Sequence, residues 1–196
     1  MTRQFTDMVR YQDRDWLLVG VRGESPFDAD AFGLQLTPVS SALWRGQLVT
    51  YQITDDRLRV STVLVSRQAR WHGEPRIAGA EMFGVAVSPV AGLLFRGCVE
   101  LELDRPTEMT GGLLIAHTPT PERQPNMGFP SVCYYETVLD LQLDSGRVSA
   151  VVDRSAHMAG LRRAIVAGEV PPPDGDASDE SWIERTFTLD YSRGGL

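Results

Sequence analysis

Lysine is absent from this chain, and all 19 of its basic residues are arginines. No side chain can therefore form a Schiff base with a carbonyl substrate or with pyridoxal phosphate. The lysines of the P-loop and of the protein-kinase strand motif are excluded for the same reason. The arginines are scattered rather than clustered, which indicates a GC-rich coding sequence more than a built anion site.

Cysteine is scarce, with only Cys98 and Cys133, so a disulfide framework is not expected. The sequence contains no CxxC pair and no cysteine–histidine spacing typical of zinc. Strand parity places Cys133 on an apolar face, and it places Cys98 with Glu100 and Glu102 on a polar face, where we expect the more accessible thiol. We predict no metal site, no cofactor and no catalytic residues.

Long apolar runs are also missing, because no segment approaches the roughly 20 residues of a membrane span. The polar N-terminal run predicts no export signal, and hence a cytoplasmic location. The net charge of −7 and the pI near 5.0, with no basic stripe, argue against nucleic acid and anionic membranes as partners. They permit a basic protein partner, and the oligomeric state is not readable.

The dominant hydrophobic period is two, which predicts antiparallel hairpins. A turn at Asp55 and Asp56 places Ile53 opposite Leu58 and Tyr51 opposite Val60, so that the apolar faces coincide.

A second hairpin is predicted around Ser145 and Gly146. A two-residue loop there places Leu143 opposite Val148, Leu141 opposite Ala150 and Leu139 opposite Val152.

Further strands are expected over residues 6–11, 15–21, 93–104 and 112–117. A helix is expected from a Ser155 N-cap to Gly168, with Met158, Leu161 and Ile165 on one face. The fold class is therefore mainly β: antiparallel hairpins in a barrel- or sandwich-like sheet pair, with one short C-terminal helix.

The domain organisation that we predict is a β-rich core over residues 1–154 and a C-terminal extension over residues 155–196, packed on the same domain. The extension includes a possible last strand over residues 182–191. It also includes an acidic, proline-rich loop over residues 171–180, which we expect to be exposed.

Large aromatic residues stand at segment edges, and Trp44 is followed directly by Arg45 and Gly46. A tryptophan beside an arginine is typical of a protein-interface anchor. The alternative is that the tryptophan packs in the core and Arg45 forms a structural ion pair. The binding residues that we expect are Trp44, Arg45, Tyr51 and Trp71.

The run over residues 41–58 resembles a group of small bacterial proteins with no established activity, in which a W-R-G-Y-x-x-x-W-x-I pattern precedes a short turn and a leucine. The likeness extends over residues 6–154, although Gln47 replaces the tyrosine of the pattern and Tyr51 its second tryptophan. The small, acidic members of that group look like immunity proteins of toxin systems.

Three function classes follow from these observations. The first is a non-catalytic binding protein, in its most specific form an immunity-type inhibitor of a toxin. The second is an enzyme with a site of scattered aspartates, glutamates and histidines. The third is a β-barrel that binds a small ligand in a pocket rimmed by tryptophans.

Overall fold

The computed structural model describes residues 2–121, 128–171 and 189–191. Within them the chain is mainly β, with one α-helix near the C-terminus, and the predicted fold class is confirmed in these respects. The helix is α1 (Ser155–Val166), and a 3-10 turn (Val132–Tyr134) precedes β11. The strands are β1 (Met8–Tyr11), β2 (Arg14–Gly23), β3 (Leu34–Gln35), β4 (Gln47–Thr54), β5 (Arg57–Ser66), β6 (Arg70–Trp71), β7 (Glu81–Met82), β8 (Val85–Pro89), β9 (Cys98–Pro106), β10 (Gly111–Pro119), β11 (Tyr135–Asp144) and β12 (Arg147–Asp153).

Ten strands form one sheet in the order β12-β11-β10-β2-β1-β4-β5-β9-β8-β7, and β3 pairs with β6 separately. β12 also pairs with β5 through Arg147 and Arg57. The amide of Leu58 donates to the carbonyl of Gly146 at 2.8 Å beside this pair. The seven strands from β12 to β5 therefore form a closed ring of pairings, and β9, β8 and β7 extend from β5.

The first predicted hairpin is confirmed, because Tyr51 lies opposite Val60 and Ile53 opposite Leu58 in the β4–β5 pair. Asp55 and Asp56 both take positive φ angles, as a tight hairpin turn requires.

The second predicted hairpin is correct only near its turn, where Leu143 lies opposite Val148. A register shift between Gln142 and Leu143 then places Leu141 opposite Val151 instead of Ala150. It also places Leu139 opposite Asp153 instead of Val152. The residue without a partner is Ser149 on β12, and an inserted residue of this kind is a β-bulge, which bends its strand and increases its twist.

The side chains that point to the inside of the ring form one continuous core. The alternation of strands explains this, since every second residue faces inward. On β5, Val63 and Val65 face inward whereas Leu64 between them belongs to a separate cluster on the outer face.

Helix α1 covers the outer face of β10 and β11, where Met158 is fully buried and Leu161 and Ile165 pack beside it. The predicted apolar face of the helix is therefore correct. The predicted cap is wrong: Ser155 is the first helical residue, and its Oγ accepts a hydrogen bond from the Val138 amide at 3.1 Å. Gly168 follows the helix with a φ of 74°, in agreement with the predicted stop.

The predicted acidic loop over residues 171–180 lies outside the described residues apart from Pro171, as does most of the predicted last strand. Of that strand, residues 189–191 are described, and they run along β2: the Val21 amide donates to the Leu189 carbonyl at 2.6 Å. No helix in the described ranges is long and apolar enough to cross a membrane.

We predict that Met158→Ala lowers the free energy of unfolding by about 2–5 kcal/mol, because it removes a fully buried side chain between the helix and the sheet. Val166→Ala on the same helix is the matched control, and it should change stability by less than about 0.5 kcal/mol because Val166 is exposed. Urea denaturation of the two variants measures both values. Equal effects would contradict the packing of α1 described here.

Candidate functional site

The sheet divides where β1 begins. β1 lies between β2 and β4, and its first residue, Met8, is opposite Leu17 on β2 and Thr50 on β4. Beyond Met8 the two outer strands continue, β2 from Leu18 onward and β4 back towards Gln47, with no common neighbouring strand in the described residues. We call this gap between β2 and β4 the split.

A buried ion pair occupies the split. Asp7 is only 3% exposed, and its carboxylate accepts hydrogen bonds from both terminal nitrogens of Arg45, Nη1 at 2.9 Å and Nη2 at 3.1 Å. The Val49 amide donates to the same carboxylate at 2.8 Å. A fork of this kind is stronger and more directional than a single neutral hydrogen bond.

Arg45 is also fixed by its other neighbours. Its Nη2 donates to the Phe5 carbonyl at 3.3 Å, and its guanidinium lies 5.0 Å from the centre of the Phe129 ring. Arg45 therefore forms a structural ion pair, which was the alternative to a role in binding. Its side chain holds residues 5–7 against the start of β4.

The glycine of the Trp-Arg-Gly stretch has a steric role. Gly46 has a φ of 75°, and a Cβ on this residue would lie only 2.8 Å from the Thr37 carbonyl oxygen. A residue other than glycine would be strained in this conformation and would also clash. Gly46 thus allows the chain to turn into β4 directly after Arg45 has pointed inward.

Trp44 points the opposite way. Its side chain is 67% exposed, while its backbone amide donates to Gln4 Oε1 at 3.2 Å. Leu43, immediately before it, is buried in the outer cluster, which we define as Leu43, Leu64 and Cys98 with the flanking residues Phe5, Val39, Leu48, Val90 and Phe95. An anchored backbone therefore presents a free indole ring.

A second exposed apolar segment borders the same cluster. Leu93 and Leu94 are 91% and 69% exposed, and they precede Phe95, whose ring lies 5.2 Å from that of Phe5. Trp44 and these two leucines thus flank the outer cluster at the Leu43 and Phe95 ends. We call these three residues the Trp44 patch.

Carboxylates continue the outer face next to the outer cluster. Glu100 lies opposite Leu64 of the outer cluster, and Glu102 is the next residue on that face of β9. Glu102 lies opposite Ala86, which in turn lies opposite Glu81. None of these three glutamates takes part in the ion pairs found among the described residues.

The inner side of the split contains a cavity of about 280 Å³. Its polar lining includes Asp7, Arg45, Gln47, Tyr51 and Asp190. The Oε1 atom of Gln47 is buried and has no hydrogen-bond partner in the described part of the chain. An unpaired buried acceptor costs free energy.

Tyr51 is a buried residue whose ring belongs to the core, and it also lines the cavity. Burial raises the pKa of the Tyr51 hydroxyl well above its usual value. The Asp7 carboxylate raises this pKa further, while Arg45 lowers it. The hydroxyl is therefore protonated at every physiological pH.

The four predicted binding residues do not meet in one place. Arg45 and Tyr51 share the cavity, and Trp44 lies on the opposite, outer side of the same turn. Trp71 is buried elsewhere, where its Nε1 donates to the Phe32 carbonyl at 3.2 Å and its ring contacts Phe83. Its environment is that of a core residue.

Asp7 and Gln47 were not among the residues expected from the sequence. No local sequence pattern identifies Asp7 as a site residue, because its partner Arg45 is 38 residues away along the chain. Gln47 did carry a signal, since it is the position at which this chain replaces the tyrosine of the resembling group.

The expected exposure of Cys98 is wrong. Its face of β9 is the outer one, but the outer cluster covers it and leaves it 3% exposed. Burial raises the pKa of the Cys98 thiol, which disfavours the reactive thiolate. Among the residues that the structure describes, no three histidine, cysteine or acidic side chains are grouped as metal ligands.

No protein-family model, curated protein or solved structure matches the chain. The geometry of its own residues is therefore the basis on which its function is inferred.

We predict that Asp7→Asn lowers the free energy of unfolding by about 2–4 kcal/mol, because it leaves the partly buried Arg45 guanidinium without a counter-charge. Asp15→Asn breaks the exposed Arg10–Asp15 pair and is the control, with an expected loss below about 1 kcal/mol. Denaturant unfolding of both variants makes the comparison. Similar losses would show that the pair in the split is no more important than one on the surface.

Proposed function

We propose that this chain is a non-catalytic binding protein that docks a basic protein partner on the Trp44 patch. The observation that carries the proposal is the contrast at one turn: Trp44 is 67% exposed, while Arg45 beside it is held by the buried Asp7 carboxylate. The indole ring is exposed, while the backbone that carries it is held by the hydrogen bond to Gln4 and by the Arg45–Asp7 ion pair.

The chemistry of the patch supports this proposal. Tryptophan is enriched among the few residues that contribute most of the energy of protein interfaces. Leu93 and Leu94 add exposed apolar side chains next to Phe95 of the same cluster, and exposed apolar surface is typical of interaction sites. A rigid backbone reduces the ordering entropy lost on binding.

Charge complementarity selects the class of partner. Glu100 lies opposite Leu64 of the outer cluster, Glu102 and Glu81 follow on the same face across β9, β8 and β7, and the whole chain has a net charge of −7. Acidic side chains on the same face as an apolar anchor steer and orient a basic protein. The same charge disfavours nucleic acid and anionic membranes as partners.

The specific form of the proposal is an immunity-type inhibitor that acts in the cytoplasm on a basic toxin. It is supported by the acidity of the chain and by the resemblance of residues 6–154 to small bacterial proteins that look like such inhibitors. The tight, one-to-one recognition that an inhibitor needs is compatible with a preformed aromatic anchor and a charged rim.

The test places a photo-crosslinking amino acid at Leu94 in cells of the source organism, with Trp44 intact. We expect one basic protein to be crosslinked and the product to be lost in the Trp44→Ala background. The control carries the crosslinker at Val166, an exposed apolar residue on α1, and should capture nothing. No product at position 94, an acidic partner, or a product insensitive to Trp44→Ala would refute the proposal.

For the purified partner, we predict that Trp44→Ala weakens the dissociation constant about 30-fold or more, as expected for an interface anchor worth at least about 2 kcal/mol. Replacing Glu100 and Glu102 by glutamine should mainly slow association, and the effect should shrink as salt is added. Surface plasmon resonance at two salt concentrations separates the two effects. Unfolding experiments should show Trp44→Ala to be as stable as the wild type, since the side chain is exposed.

A further inference from the structure

We infer that residues 189–191, which we call the strap, are a releasable segment, and that the place they occupy is a docking site for an extended peptide that carries a tyrosine. The observation that carries this inference is a notch between Gly20 of β2 and Gly112 of β10 that holds the ring of Tyr191. The occupant of the site is the strap of the same chain. The inference does not rest on the Trp44 patch or on its proposed partner.

The backbone of the strap extends the sheet at the edge of β2. The ladder between β1 and β2 ends at the pair of Met8 and Leu17. Beyond it, the Val21 amide donates to the Leu189 carbonyl at 2.6 Å, and the Val21 carbonyl accepts from the Tyr191 amide at 3.2 Å. The addition of an extended segment to a free sheet edge is a common mode of peptide recognition.

Two glycines make room for the Tyr191 ring. A Cβ on Gly20 would lie 2.9 Å from Cδ1 of Tyr191, and a Cβ on Gly112 would collide with the Tyr191 hydroxyl. Neither glycine has a left-handed φ angle, so the backbone conformation does not require glycine at these positions. Glycine inside a strand often marks a place where another group approaches closely. The notch is therefore shaped for an aromatic ring.

The polar end of the notch binds the tyrosine hydroxyl. Asp140 is 1% exposed, and its Oδ1 accepts a hydrogen bond from the Tyr191 hydroxyl at 3.1 Å. Gln142 Nε2 donates to the same oxygen, and Arg154 Nη2 donates to Oδ2 at 3.1 Å. Burial and the Asp140 carboxylate raise the pKa of Tyr191, so its hydroxyl remains a donor. Because hydrogen bonds to a charged group are strong, Asp140 distinguishes tyrosine from phenylalanine.

The contacts of the strap are those of a segment that can open locally. Among the described residues, two backbone hydrogen bonds join it to the sheet, both at Val21, and Tyr191 is only partly buried. β10 and β11, by contrast, pair along their whole length. Segments with few backbone hydrogen bonds open at a lower free energy than the sheet around them. Leu189 also lines the cavity in the split, so release of the strap uncovers that cavity and the edge of β2.

The first experiment tests recognition of the tyrosine. A synthetic peptide of residues 186–194 is titrated into the full chain carrying Tyr191→Ala, and amide chemical shifts are followed by NMR. We expect saturable shifts at Gly20 and Val21. Binding should be about tenfold or more weaker when the peptide itself carries Tyr191→Phe. The wild-type chain should bind the peptide far more weakly, because its tethered strap competes for the site.

Equal binding of the two peptides would overturn the role of the hydroxyl and with it the inference. The absence of a saturable shift at Val21 in the Tyr191→Ala chain would overturn the docking site itself.

The second experiment tests whether the strap opens by itself. Amide hydrogen exchange is measured in the full chain, where Tyr191→Phe should speed exchange at Val21 about tenfold or more. The amides of β11 should keep their protection. Tyr11→Phe, on β1, is the matched control and should leave Val21 unchanged. Equal acceleration across the sheet would show the strap to be an integral part of the fold, and no acceleration at Val21 would show that Tyr191 does not hold it. Either result would overturn the inference.

A double substitution tests the notch. Gly112→Ala should speed exchange at Val21 in the chain that contains Tyr191, because the added Cβ displaces the ring. In the Tyr191→Ala background it should have no further effect at Val21. The same acceleration in both backgrounds would assign Gly112 to the strand rather than to the notch and would contradict the inference. None of these variants alters the Trp44 patch, so their outcome is independent of the partner crosslinked at Leu94.

Discussion

The ion pair between Arg45 and Asp7 is the interaction on which the rest of this region depends. Residues 18–23 of β2 and residues 47–49 of β4 lie on either side of a gap that β1 no longer fills. The Asp7 carboxylate bridges that gap by accepting the Arg45 fork and the Val49 amide together. A buried carboxylate requires such partners, because an unpaired charge away from water is very costly. The pair therefore fixes the path of the chain from residue 43 into β4.

Two surfaces of opposite character follow from that path. Because Arg45 points inward, Trp44 beside it points outward, and Gly46 makes the following turn sterically possible. The inner side contains a cavity that Arg45 and Asp7 line together with apolar side chains, and the outer side presents the exposed Trp44. Both surfaces lie in a chain with a net charge of −7. The proposed protein partner would contact the outer side of the turn.

The sequence predicted the parts of the fold that depend on local periodicity. The β4–β5 register and the apolar face of α1 follow from patterns within about ten residues, and they are correct. The bulge at Ser149 of β12 was not predicted, because the apolar run that follows it, residues 150–152, offers Leu141 an apolar partner in either register. The site was less predictable, since the Asp7–Arg45 contact spans 38 residues. Cys98 is likewise buried by Phe5, Leu43 and Phe95. The alternation of residues along β9 predicts the face on which Cys98 lies, but it does not predict that other segments cover that face.

Amide hydrogen exchange, measured residue by residue in the wild type and in Asp7→Ala, tests the central role of this ion pair most directly. The Val49 amide donates to Asp7, whereas the amides of the β11–β12 hairpin belong to a different part of the sheet. We predict that the variant loses protection at Val49 and in the turn over residues 43–47, while the β11–β12 hairpin keeps its protection. Unchanged protection at Val49, or a uniform loss across the whole sheet, would contradict the view that Asp7 holds this turn in place.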